Sequence, residues 1–93
     1  MEHKIRTDID QMNKYTRELD KVLKSFNTAR FRAFIHKHSN YIPHSTEILK
    51  RDDEFLEGMM AKMIMNRTTF DGDTRYKAVQ ILMKLGWKTE IWN

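Results

Sequence analysis

HKIRTDIDQMNKYTRELDKVLKSFNT, residues 3–28, is the stretch on which the fold class turns. Ile5, Met12, Leu19 and Phe26 recur every seven residues, with Tyr15 and Val22 three positions after Met12 and Leu19. Ile9 and Leu23 widen this apolar stripe, while Lys4, Arg6, Asp10, Lys14, Arg17, Glu18, Asp20, Lys21 and Lys24 occupy the other faces. Apolar residues at spacings of three and four define one face of a helix, so the pattern predicts a long amphipathic helix over residues 3–25. A seven-residue repeat also suits a dimer seam, although Asp8 interrupts it at a position a zipper would keep apolar.

Outward from this helix, Ser25-Phe26-Asn27-Thr28 reads as a break. Ser, Asn and Thr offer side-chain oxygens that compete with the helix ladder and cap a following helix. Ala29 to His38 is then either a second helix or the first one continued past a kink, and both readings stand on sequence. Phe31, Phe34 and Ile35 fall on one side of it. Pro43 lacks a donor and biases Ile42 away from helix, so Ser39 to His44 reads as a loop.

Ser45 or Thr46 is expected to cap the next helix, whose stripe runs Ile48, Phe55, Leu56, Met59, Met60, Met63, Ile64, with Asp52 as a skipped turn. Gly58 is unfavourable inside a helix by roughly 1 kcal/mol relative to Ala. A second helix packed closely across it would account for its presence. A further break centres on Asp71-Gly72, with Asp73 as the expected cap of a last helix from Thr74 to Leu85. Ala78, Val79, Leu82 and Leu85 form its inner stripe, and Gly86 is a natural terminator. Residues 87–93 make a short tail with Trp87, Ile91 and Trp92, expected to dock on the body. The fold class is therefore all-α: one domain, residues 1–93, built as a compact bundle of three to four antiparallel amphipathic helices with a long N-terminal helix.

Composition narrows the function. The 93 residues carry 17 Lys and Arg against 13 Asp and Glu, for a net charge of +4. With no cysteine, disulfides and thiolate metal sites are excluded. No apolar run approaches the ~18 residues of a membrane span. Met1-Glu2-His3-Lys4 shows no apolar signal segment behind it. The expectation is a cytoplasmic protein without membrane contact, in which Asn66-Arg67-Thr68 is a chance sequon.

The charge is unevenly distributed. Residues 21–46 contain Lys21, Lys24, Arg30, Arg32, Lys37 and three histidines, but no Asp or Glu. Phe26, Phe31, Phe34 and Tyr41 are interleaved with these bases. Such a segment suits phosphates or an acidic protein surface. Lys21, Lys24, Arg30, Arg32 and Lys37 are the expected anion ligands, with Phe34 and Tyr41 as candidates to stack on bases. Helically spaced aromatics are more often core, which is the plainer reading of Phe31 and Phe34.

Other constellations fall short of chemistry. His36, His38 and His44 lack the spacing and fourth ligand of a zinc site and are expected at the surface, reinforcing the positive patch when protonated. Asp71-Gly72-Asp73 opens like a calcium loop but puts Arg75 at the next ligand position. Asp53 and Glu57 suit the positive end of a helix dipole better than catalysis. The Asn66–Asp73 break is too long for a helix-turn-helix. Nothing requires a cofactor.

The expected function is non-catalytic binding of an anionic partner, nucleic acid or phosphorylated nucleotide, by the basic and aromatic segment. The alternative is an inhibitor or adaptor that docks on an acidic protein surface, anchored by the Met-rich stripe or the Trp tail. In size, helicity and want of a catalytic set the chain resembles small accessory proteins of phages and other mobile elements. Self-association through the first or third helix is a further expectation.

Overall fold

A computed structural model describes residues 2–67 and 69–87, with side chains from residue 10 onward. Among the described residues the chain is all-helical, without strands. The helices are α1 (Glu2–Ser25), α2 (Thr28–Lys37), α3 (Ser45–Leu49), α4 (Asp53–Met65) and α5 (Gly72–Leu85). Among the described residues, five helices stand where three or four were expected.

The long first helix is present as read, but its buried face is narrower than the repeat implied. Leu19 and Leu23 enter the core, and Tyr15, Val22 and Phe26 pack against it. Met12, on the same heptad series, is 69% exposed. Asp10 to Lys14 are exposed on every side, so among the described side chains burial begins at Tyr15; Ile5 and Ile9 of the expected stripe lie outside them.

The break falls where Ser25 and Asn27 place it, and it separates two helices rather than kinking one. Ser25 Oγ donates to the Val22 carbonyl and accepts from the Asn27 N–H at 3.2 Å. Asn27 Oδ1 then accepts from the Arg30 N–H at 3.0 Å, capping α2. Between them Phe26 takes a left-handed φ of 53°. That conformation disfavours a bulky side chain by about 1–2 kcal/mol. Packing of its ring against the core and under Lys77, whose ammonium lies 4.7 Å from the ring centroid, offsets the strain.

The third expected helix is two helices. α3 ends at Leu49, and Asp52 is not a skipped turn but the N-cap of α4, accepting from the Phe55 N–H at 2.9 Å. Ile48 and Phe55 stand seven apart, so the interruption leaves the apolar phase intact and hides from a periodicity count. His44, with φ 59°, precedes α3, and neither Ser45 nor Thr46 is the cap. Ser45 is buried and donates to the Ser39 carbonyl at 3.3 Å. The last helix begins at Gly72 with Asp71, not Asp73, as its cap, bonded to the Thr74 N–H at 2.8 Å.

α4 and α5 share the most extensive helix contact. Leu56, Met60, Ala61 and Ile64 of α4 and Ala78 and Leu82 of α5 are fully buried, joined by Phe31, Phe34 and Ile35 of α2. Val79, Leu85 and Ile81 are half-buried at the margins of α5. Gly86 closes α5 at φ 73°: its N–H reaches the Met83 carbonyl, and the Trp87 N–H reaches that of Leu82 at 2.9 Å. The chain thus turns Trp87 back onto α4. A Cβ on Gly58 would sit 2.6 Å from Trp87 Cζ2, so the glycine makes room for an indole and not for a whole helix. The same indole tilts against Phe55 at 5.6 Å. Ile91 and Trp92 of the expected docking tail lie outside the described residues.

Candidate anion-binding surface

The segment free of acids in sequence is not free of acids in space. Two of its cations are engaged by carboxylates from elsewhere in the chain. Arg32 donates from Nη1 to the Leu49 carbonyl at 2.8 Å and from Nη2 to the Arg51 carbonyl at 2.6 Å. Its Nε and Nη2 also reach Asp53 Oδ1 at 3.2 and 3.0 Å. One guanidinium therefore ties α2 to the end of α3 and the start of α4, satisfying carbonyls that a helix end leaves open. Arg32 is a structural rivet in this fold.

Lys37 is likewise occupied. Its Nζ lies 3.2 Å from Glu18 Oε1, while His38 Nε2 lies 3.2 Å from Glu18 Oε2. The His38 side chain is 16% exposed, with its ring edge-on to Tyr15 at 5.0 Å and tilted on Phe34 at 4.6 Å. It is thus an internal group, not the surface histidine expected; His36 and His44 are exposed. Desolvation pushes the Glu18 carboxyl up, but the bonds and charges of His38 and Lys37 outweigh it, and the group ends below its ordinary 4.5. Burial raises the neighbouring Tyr15 phenol against the pull of the Arg67 guanidinium.

The aromatic candidates divide. Phe34 is 3% exposed in the core and has no face free for a base. Tyr41, in the turn after α2, is 75% exposed.

Lys21, Lys24 and Arg30 remain at the surface, exposed and without ion pairs among the described residues. Lys14 and Arg17, N-terminal to the basic window, are exposed in the same way. Lys14, Arg17, Lys21 and Lys24 are spaced by three, four and three, which at 3.6 residues per turn confines them to a sector about 80° wide. They form a cationic stripe on the outer face of α1, closed at its N-terminal end by Asp10. The sequence signal for Lys14 and Arg17 was helical spacing; a linear window of charge missed it.

The two acids flanking the stripe are turned to the body. Glu18 goes to α2, and Asp20 pairs with Arg67 Nη2 at 2.7 Å, without the alignment of a hydrogen bond. Past the C-terminal end of the stripe, Lys24 feels the Asp71 carboxylate. Asp71 is itself held below its ordinary value, chiefly by the Thr74 hydrogen bonds of the cap.

Lys21 and Lys24 also edge a shallow open cleft of about 290 Å³ with Asp20, Thr69, Phe70, Asp71 and Thr74. Its two carboxylates make it a poor seat for a phosphate. Among the described residues no cluster of His, Cys, Asp and Glu is arranged to hold a metal ion. No helix among them is long and apolar enough to cross a membrane. No family model, curated protein or solved structure matches the chain.

Proposed function

We propose that this protein is a non-catalytic binding module for an anionic partner, with nucleic acid or a phosphorylated nucleotide ahead of an acidic protein surface. One observation carries the reading: Lys14, Arg17, Lys21, Lys24 and Arg30 are exposed without ion pairs among the described residues, while Glu18 and Asp20 beside them are paired with Lys37 and Arg67 and the exposed Asp10 and Asp71 stand only at the ends of the stripe. Ion pairs between Glu18 and Lys37 and between Asp20 and Arg67 are close to neutral, so they leave the charge of the stripe uncancelled. A predominantly cationic surface of this kind attracts polyanions and speeds their encounter. On this reading the helices form an antiparallel bundle that serves as a frame, with Arg32 and Phe34 belonging to it.

The test is binding to labelled single- and double-stranded DNA and RNA across a salt series. Affinity whose logarithm falls linearly with log salt supports the reading, because each neutralised phosphate releases counterions. Failure to bind at low salt overturns it and leaves the protein-docking alternative to a pull-down.

A further inference from the structure

Resting on that anionic-partner reading, we infer that α1 lies along the sugar–phosphate backbone of a nucleic-acid duplex and grips it without regard to sequence. The stripe from Lys14 to Lys24 spans ten residue steps, about 15 Å at 1.5 Å per residue. One duplex strand presents a phosphate every ~3.4 Å along the axis, so the stripe faces roughly four of them. The long side chains of Lys14, Arg17, Lys21 and Lys24 adjust to that spacing without a shaped pocket.

Three features select the partner. A mononucleotide is held in a concave, largely apolar pocket, whereas the clefts here are open and carry carboxylates: Asp20 and Asp71 in one, Asp52 and Glu54 in the other. A single strand is held by stacking on aromatic faces. The rings of α1 are already covered, Tyr15 by Phe34 and His38, and Phe26 by Lys77, and Phe70 in the cleft beside Lys21 and Lys24 is half-buried against the core. An acidic protein surface would ask for an apolar anchor at the centre of the contact. The stripe has none, because the exposed Met12 lies on the core-side face of α1 and Tyr41, Tyr76 and Met83 lie on other elements. What remains is a row of cations suited to phosphates alone.

The experiment compares a duplex of arbitrary sequence, a second unrelated duplex, their single strands and a mononucleotide. Four phosphate contacts give a log–log salt slope of about −3.6, which is roughly a 150-fold loss of affinity between 50 and 200 mM salt. Replacing Lys14 and Lys21 together with Gln should make the slope shallower by about 1.8. Lys62→Gln with Lys84→Gln removes the same charge from exposed sites on α4 and α5 and should leave the slope unchanged. All four side chains are exposed, so helicity by circular dichroism should be retained in both variants. Equal affinity for the two duplexes, with weaker binding of single strands and nucleotide, supports the inference. Preference for single strands or for the mononucleotide overturns the duplex assignment alone, whereas an equal effect of the two lysine pairs overturns the α1 stripe as the contact. Absence of binding to every nucleic acid at low salt defeats the underlying reading as well.

Discussion

Replacing Arg32 with Lys keeps the charge and removes the fork, and it separates the frame of this protein from the surface proposed to bind. The guanidinium reaches the Leu49 and Arg51 carbonyls and Asp53 at once; an ammonium can hold one of these positions. A hydrogen bond involving a charged group contributes about 1.5–3 kcal/mol, and an exposed ion pair only ~0.2–1 kcal/mol. Asp53 is 73% exposed, so the ion pair belongs at the low end and the carbonyl bonds dominate. Losing one carbonyl bond and the alignment of the pair amounts to about 2–3 kcal/mol. For a domain of this size that lowers Tm by roughly 10–20 °C. The assay is thermal unfolding followed by circular dichroism, with duplex binding measured well below the transition. Arg32→Lys should unfold early while its salt slope stays that of the unmodified protein. A Tm shift under about 2 °C would refute the structural role. So would an Arg32→Gln variant of undiminished stability whose slope is shallower by about 0.9, the value of one phosphate contact.

The core of α1 makes a second, sharper contrast. Leu23→Ala should destabilise by about 2–5 kcal/mol, the range for a fully buried leucine, whereas Met12→Ala should stay within ~0.5 kcal/mol because its side chain faces water; denaturant midpoints compare the two, and similar values would contradict the placement of α1. Glu18→Gln frees Lys37 and removes the acid beside the stripe, so duplex affinity should rise severalfold, read by fluorescence anisotropy at fixed salt, and a fall would count against the surface drawn here. Because the folded Glu18 carboxyl lies below its ordinary 4.5, its contribution to stability is present above that pH and is lost as pH falls through the folded value. The unmodified protein should therefore lose more stability than Glu18→Gln on acidification below about 4.5, and parallel pH–stability curves would refute the assignment.

Much of the frame could be read from local residues. Helical spacing gave α1 and α5, and left open whether α2 was a helix of its own or a continuation of α1. Ser25 and Asn27 marked the first break because their side chains act within three residues of themselves. The cap of α4 was misread because Asp52 sits where an apolar stripe keeps its phase across the gap. Asp71 and Asp73 compete as caps on nearly equal local terms, and Asp71 is the one used. The surface was legible only in part. A window without acids looked uniformly positive, yet Glu18 and Asp53 reach into it from 19 and 21 residues away. Which cation is spent on the fold depends on such distant partners, and no window of charge can show them. Lys14 and Arg17 fell outside that window while lying on the same helical face.

The return of Trp87 over Gly58 has a consequence for the order of assembly. α4 and α5 are neighbours in the chain, joined by residues 66–71, and the indole fastens the end of one near the start of the other. Contacts between sequence neighbours close short loops, which form faster than distant ones. The α4–α5 hairpin, which has the most extensive helix contact, is the expected nucleus, with α1 expected to join through Leu19 and Leu23. Trp87 should change its emission in an early kinetic phase, before the long basic helix is in place. The helix that carries the cationic stripe has the smaller share of the helix contacts and is expected to open before the α4–α5 hairpin, an order that hydrogen exchange would show.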